Sequence, residues 1–260
     1  MSFGQIFWAY SDVLAANHIK GFKFFSLPHL AWLAVIAAGV AFYTLFYHKG
    51  GEKTKENLRK SIAVYLILAE FFKISVVALT GAPVYCNLPL HICSLGEFLI
   101  LFDALWLNKN RLTGQVLIFE FLPGALVTIL MPNCVGYPAY SFYAVNFFVW
   151  HGAIVAYILA KYLAGEIRPR YVGIWQAMIA VYMQIIPVYF LDKAYDVNYM
   201  FLMEHQDNPV LKLCWNLSGG KGGIPYIIAL SVLVIVVMHV FYLLYKIREW
   251  IGEKVQKKRQ

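Results

Sequence analysis

Apolar residues fall in long runs broken by short polar segments, and each run is near the roughly 20 residues that carry a helix across about 30 Å of hydrocarbon. The runs predict spans at about 28–48, 60–80, 88–107, 112–131, 141–163, 171–192 and 224–246. The expected architecture is an all-α polytopic membrane bundle of about seven transmembrane helices, one integral membrane domain over residues 1–260, followed from 247 by a basic tail. The loops at 81–87 and 132–140 carry no charge and predict tight caps. A single long connection, 193–223, mixes aromatics with Asp196, Glu204, His205 and Asp207 and is long enough to fold back as a lid.

Composition agrees with lipid as the solvent: 61% of the 260 residues are hydrophobic and 14% charged, with a mean hydropathy of +0.62. The first 25 residues mix Asp12, Asn17, His18, Lys20 and Lys23 with aromatics and lack the apolar core of a cleavable signal, so the first span is expected to direct insertion. The net charge of +8 does not point to nucleic acid, because the basic residues sit between apolar runs and in the tail. Lys49, Lys53, Lys55, Arg59 and Lys60, then Lys109 and Arg111, then Lys161, Arg168 and Arg170, share one side with the tail residues Lys246, Arg248, Lys254, Lys257, Lys258 and Arg259. The opposite side has Lys20, Lys23, Lys193, Lys212 and Lys221, so the positive-inside rule puts the N-terminus outside and the C-terminus in the cytoplasm. The tail, ending Lys257, Lys258, Arg259 and Gln260, is expected to rest on anionic cytoplasmic lipid.

Several ionisable residues interrupt the apolar runs, where each costs several kcal/mol unless it is paired or at work. Glu70 and Lys73 are one turn apart in the second span and predict an ion pair. Glu97 lies in the third span with Cys93, Glu120 in the fourth and His151 in the fifth. At about 1.5 Å per residue these six fall roughly 7–17 Å below the outer boundary, in one depth band. A thiol attacks as its thiolate, so Cys93 needs a proton acceptor, and His151 is the candidate. Glu97, Glu70 or Glu120 is then the carboxylate that orients the imidazole, and Lys73 supplies positive potential. Asn133 and Asn198, near the outer mouth, are candidate contacts for an oxyanion or a lipid head group. On an ideal helix His91 points about 160° from Cys93 and is a poor partner for it. Asp103, beside Trp106, is expected at the cytoplasmic interface, with little other polarity in that half. His29 and His239 are expected to serve packing or hydrogen bonding. Cys86, Cys134 and Cys214 fall outside, where a disulfide is chemically permitted but the pairing is open.

The segments Leu88-Pro89-Leu90-His91-Ile92-Cys93-Ser94-Leu95, Met131-Pro132-Asn133, Trp150-His151-Gly152 and Asn198-Tyr199-Met200-Phe201-Leu202 together resemble the YwaF-like family of bacterial membrane proteins. That family is in turn distantly similar to the eukaryotic transmembrane-164 proteins, regarded as acyltransferases that move a fatty acyl group between phospholipids through a membrane-embedded cysteine. The resemblance implies a Cys/His acyltransferase or lipid hydrolase in a bacterial plasma membrane, with Cys93 as nucleophile, His151 as its partner, phospholipid and lysophospholipid as substrates, and no cofactor or metal. The competing reading is a small-solute or proton-coupled transporter or channel component in which the same carboxylates, Lys73 and His151 line a polar path. A retinal photoreceptor is excluded by the absence of lysine from 224–245. A haem held by His91 and His151 has no second histidine pair to support it.

Overall fold

A computed structural model describes residues 1–206 and 208–257; Asp207 and the tail residues Lys258, Arg259 and Gln260 lie outside it. Two short helices, α1 (Phe3–Trp8) and α2 (Ser11–Ala16), precede the first long one. The long elements follow as α3 (Leu27–Lys49), α4 (Glu52–Leu79), α5 (Ile92–Phe102), α6 (Arg111–Val116), α7 (Leu122–Leu130), α8 (Phe142–Leu163), α9 (Tyr171–Tyr195), α10 (Pro209–Leu217) and α11 (Ile224–Lys257). A π turn at Asp103–Leu107 prolongs α5, and another at Leu117–Phe121 fuses α6 to α7. Among the described residues no strand occurs.

Six helices are long and apolar enough to cross a membrane: α3, α4, the fused α6–α7 rod, α8, α9 and α11. The third expected span is shorter than its hydropathy suggests. Pro89 breaks the apolar run, His91 becomes the N-cap, and α5 with its π turn reaches only about 24 Å. Large apolar side chains face outward on these helices, among them Phe42, Leu68, Met183 and Phe190. In water such a surface would aggregate; against lipid tails it is the expected exterior.

Because lipid is as apolar as leucine, close packing rather than hydrophobic burial holds the bundle together. The central helix is α8, with Ala144, Phe148, Ile154 and Ile158 wholly buried, α3 on one side and α7 on the other. At Gly152 a Cβ would come within 2.8 Å of Ile36 on α3, so the missing side chain is what lets these two helices meet. The N-terminal strap docks in the same way: a Cβ on Gly21 would lie 1.9 Å from the Val135 carbonyl oxygen. Ser2 and Gln5 form a reciprocal capping box that starts α1, and Trp8 stacks on Phe142 beside α4.

The inner half of the bundle is more polar than the hydropathy pattern implies. Asp103 is buried rather than interfacial; its Oδ2 accepts from the Lys161 ammonium and, at 2.5 Å, from the Tyr157 hydroxyl. Lys161 also donates to the Asn108 carbonyl at 3.1 Å, so it is a bundle residue and not the loop charge expected. Arg59 likewise turns inward, donating to Tyr47 at 2.7 Å, while Tyr47 donates to Glu166 at 2.8 Å. Both cations sit near helix ends, where charge counting assigns them to loops, and both found carboxylates across the bundle. His29 accepts from the Phe25 amide at 2.9 Å and donates to the Ile129 carbonyl at 3.0 Å, a packing role as expected.

Candidate functional site

One cavity of about 770 Å³ runs from the loops that carry Asn87, Asn133 and Asn198 into the bundle between α4, α5, α7, α8, α9 and α11. That volume is within the roughly 300–1,000 Å³ of small-molecule sites. It brings together Cys93, His151, Glu70, Lys73, Glu120, Asn133 and Asn198 on its walls. Glu97 is not on the wall. It lies one turn behind Cys93, wholly buried, within electrostatic reach of Glu70 and Lys73 and beside the Trp150 indole, without a well-formed hydrogen bond to its carboxylate among the described residues.

Cys93 sits in the first turn of α5, half-buried, against Thr128 of α7 and within electrostatic reach of Glu120. His151 is set by its own helix: its Nδ1 is 2.8 Å from the Phe147 carbonyl one turn back. A carbonyl can only accept, so in the neutral ring Nδ1 carries the proton and Nε2 keeps its lone pair. Among the described residues no hydrogen bond joins His151 to Cys93, so the two share a cavity without a closed dyad. Glu70 and Lys73 form the expected ion pair at 2.6 Å, Glu70 buried and Lys73 partly open to the cavity. Glu120 projects from the π turn and accepts from Gln184 at 2.6 Å.

The two asparagines differ. Asn133, exposed at the mouth, opens the short 3-10 turn Asn133–Gly136. The Asn198 side chain is instead committed to its loop: its oxygen accepts the Met203 and Glu204 amides at 2.9 and 3.2 Å and its amide donates to the Glu204 carbonyl at 3.0 Å. It still lines the cavity, with these polar atoms engaged in bracing the loop.

The long connection does fold back. Asp196, Asn198 to Phe201 and Met203 line the cavity, and Asp196, Met200 and Phe201 hold left-handed φ angles of 52°, 53° and 58°. Non-glycine residues adopt that region only under constraint. Here the constraint is a set of bonds to the cap between α4 and α5: Tyr199 donates to the Tyr85 carbonyl at 2.5 Å and accepts from the Leu88 amide at 3.1 Å. The Met200 amide donates to His91 Nδ1 at 3.1 Å.

His91 is therefore placed differently from its helical-wheel position. As the N-cap it has extended backbone, so helical angles do not apply, and it lines the cavity together with Cys93. Other wall residues carry no sequence signal of their own, notably Thr128 and Asn146. All four cysteines are free; Cys86 is exposed, Cys134 and Cys214 are buried, and no disulfide is present. Among the described residues no group of His, Cys, Asp and Glu side chains is arranged to hold a metal ion.

No curated protein and no solved structure matches the chain. A family does: the TMEM164 family matches residues 24–245, from just before α3 to the inner part of α11, which takes in every wall of the cavity except Tyr10. The chain belongs to the TMEM164 family and is a multi-pass membrane protein.

Proposed function

We propose that the protein transfers or hydrolyses acyl groups of membrane phospholipids through a Cys93 thioester. The observation that carries this reading is that Cys93 and His151, whose Nδ1 is held by the Phe147 carbonyl, line one cavity whose walls combine polar and apolar side chains. In the first half-reaction the His151 Nε2 lone pair takes the Cys93 thiol proton as sulfur bonds to the ester carbonyl carbon. The ester C–O bond breaks, and the lysophospholipid alkoxide leaves with the proton from His151. In the second, the hydroxyl of a lysophospholipid or of water gives its proton to His151, attacks the thioester and releases the thiol. Thr128, beside Cys93, and Asn133 at the mouth are the donors for the oxyanion and the head group. Lys73 supplies positive potential on the same wall, held by Glu70. Closure of the Cys93–His151 gap falls to substrate binding, since catalytic hydrogen bonds commonly tighten only in the complex.

A transporter would need polarity continuous from end to end. The cluster of Asp103, Tyr157 and Lys161 is separate from the cavity wall, with Tyr157 and Lys161 both bonded to one Asp103 oxygen, which favours a site over a path. The relation to bacterial YwaF-like proteins and a plasma-membrane location belong to this same reading.

The test is intact-mass spectrometry of the purified protein and of Cys93→Ala after incubation with defined phospholipids, with and without hydroxylamine. A fatty-acyl adduct on the parent protein alone, removed by hydroxylamine, is the expected result. No adduct and no lysolipid release in any lipid mixture sinks the acyl reading and returns the buried carboxylates to a transport role.

A further inference from the structure

The part of the cavity between α7, α9 and α11 differs from its mouth. Its walls are Pro123, Gly124, Val181, Leu233, Val237 and Met238, apolar but for Glu120, whose carboxylate accepts from Gln184 of α9 at 2.6 Å. On α11, Leu233 and Met238 stand roughly 14 and 21 Å along the helix from Ile224, so this arm reaches well into the hydrocarbon depth. The helix presents two faces. Leu233, Val237 and Met238 turn to the cavity, while Ile228, Val232, Val236 and Val240 are exposed to the surroundings. Only Tyr226, Met238 and Tyr245 of α11 are buried among the described residues, so one lightly packed helix separates the arm from lipid.

Gly124 fixes where the arm begins. Cys93 has Glu120 and Thr128 as neighbours, and Gly124 lies one turn from each, between them on the same face. A Cβ on Gly124 would meet nothing within 4 Å. Open space at Gly124 thus faces the cavity one turn from both neighbours of the thiol, at the head of the arm.

We infer that the arm between α7, α9 and α11 holds a single acyl chain of a membrane lipid, with Gly124 setting its bore. The inference rests on the acyl-transfer reading for its purpose but not for its test. A chain leaving the bilayer for this arm gains no hydrophobic free energy, because both surroundings are apolar. The arm therefore selects by exclusion: chains that overfill it are rejected, and a side chain added at Gly124 shortens what fits.

The experiment uses full-length protein in phosphatidylcholine nanodiscs, with a phosphatidylcholine bearing a diazirine on its acyl chain, and Cys93→Ala throughout so that turnover is absent. After photolysis, peptide mapping is expected to find label on the inner face of α11, at Leu233, Val237 or Met238, as well as on lipid-facing Ile228 and Val236. Gly124→Phe is expected to cut the inner-face label at least five-fold and leave the lipid-facing label unchanged, with Gly124→Ala intermediate and both variants monodisperse. Label confined to the lipid-facing residues, or inner-face label indifferent to both substitutions, overturns the inference. Inner-face label without a Cys93 adduct in the parent protein sinks acyl transfer and leaves the acyl-chain site standing. An adduct without inner-face label does the reverse.

Discussion

His91 illustrates how much a single side chain decides at this site. Its Nδ1 accepts the amide of Met200, a buried residue in a left-handed conformation, and its ring packs on Tyr199 and Phe201. Removing that acceptor strands a backbone N–H, at a cost of about 1–3 kcal/mol. His91→Ala is expected to speed amide hydrogen exchange at residues 199–203, whereas His91→Gln, which retains an acceptor, is expected to stay near the parent rate. Equal exchange in all three proteins argues that the Tyr199 bonds hold the loop without His91. Cys93 and His151 make a different point. Each was conspicuous in the sequence as a reactive residue type in hydrocarbon; His151 is held by a carbonyl of its own helix, whereas Thr128, beside Cys93, was not legible because it lies on another helix that folding brings up.

At the scale of elements, the two π turns each carry an acidic residue, Asp103 in one and Glu120 in the other. A π turn inserts an extra residue and re-aims side chains, and such turns recur at functional sites. The one at 117–121 brings Glu120 to the cavity and to Gln184; the one at 103–107 carries Asp103 at its start, paired with α8. Breaking a buried ion pair from one side leaves an uncompensated charge, worth about 3–5 kcal/mol, whereas removing both charges often costs little. Lys161→Met is expected to lower the thermal stability of the detergent-solubilised protein well below that of the double variant Asp103→Asn/Lys161→Met. If the double variant is as unstable as the single, packing rather than charge pairing explains the loss. Six helices are long and apolar enough to cross a membrane where hydropathy led to about seven, since an average over apolar residues does not register the break at Pro89 that shortens the third.

For the whole molecule, the lysine and arginine asymmetry predicts a direction of insertion, and the expectation stands even after Lys161 and Arg59 are withdrawn from the loops into the bundle. Lys49, Lys53, Lys55 and Lys60 still outweigh the uncharged caps on the other side. In a variant whose native cysteines are replaced, a single cysteine at Lys53 is expected to resist a membrane-impermeant maleimide added to intact cells, and one at Tyr140 to react with it. The opposite pattern would invert the topology and with it the side from which the cavity is reached. The strap of α1 and α2 lies across the ends of α4 and α8 on the Tyr140 side, and Tyr10 adds to the wall beneath it, so the first 25 residues help to roof the site instead of acting only as a leader to α3.

By itself the sequence determined that this chain is helical and built for lipid, and that charged residues inside the apolar runs, such as Glu70, Glu97 and Glu120, had to turn inward, though not that Arg59, Asp103 and Lys161 would join them. Those properties depend on run length and on the cost of charge in hydrocarbon, and both are local. Only the tertiary structure decided which polar residues meet. It separated Asp103, Tyr157 and Lys161 from the cavity, drew Asn198 into bracing a loop, brought His91 to the cavity wall, and left open space at Gly124 beside Cys93. Partnership between residues on different helices depends on rotation and approach, which are set by close packing at positions such as Gly152, and a hydropathy pattern carries no record of them.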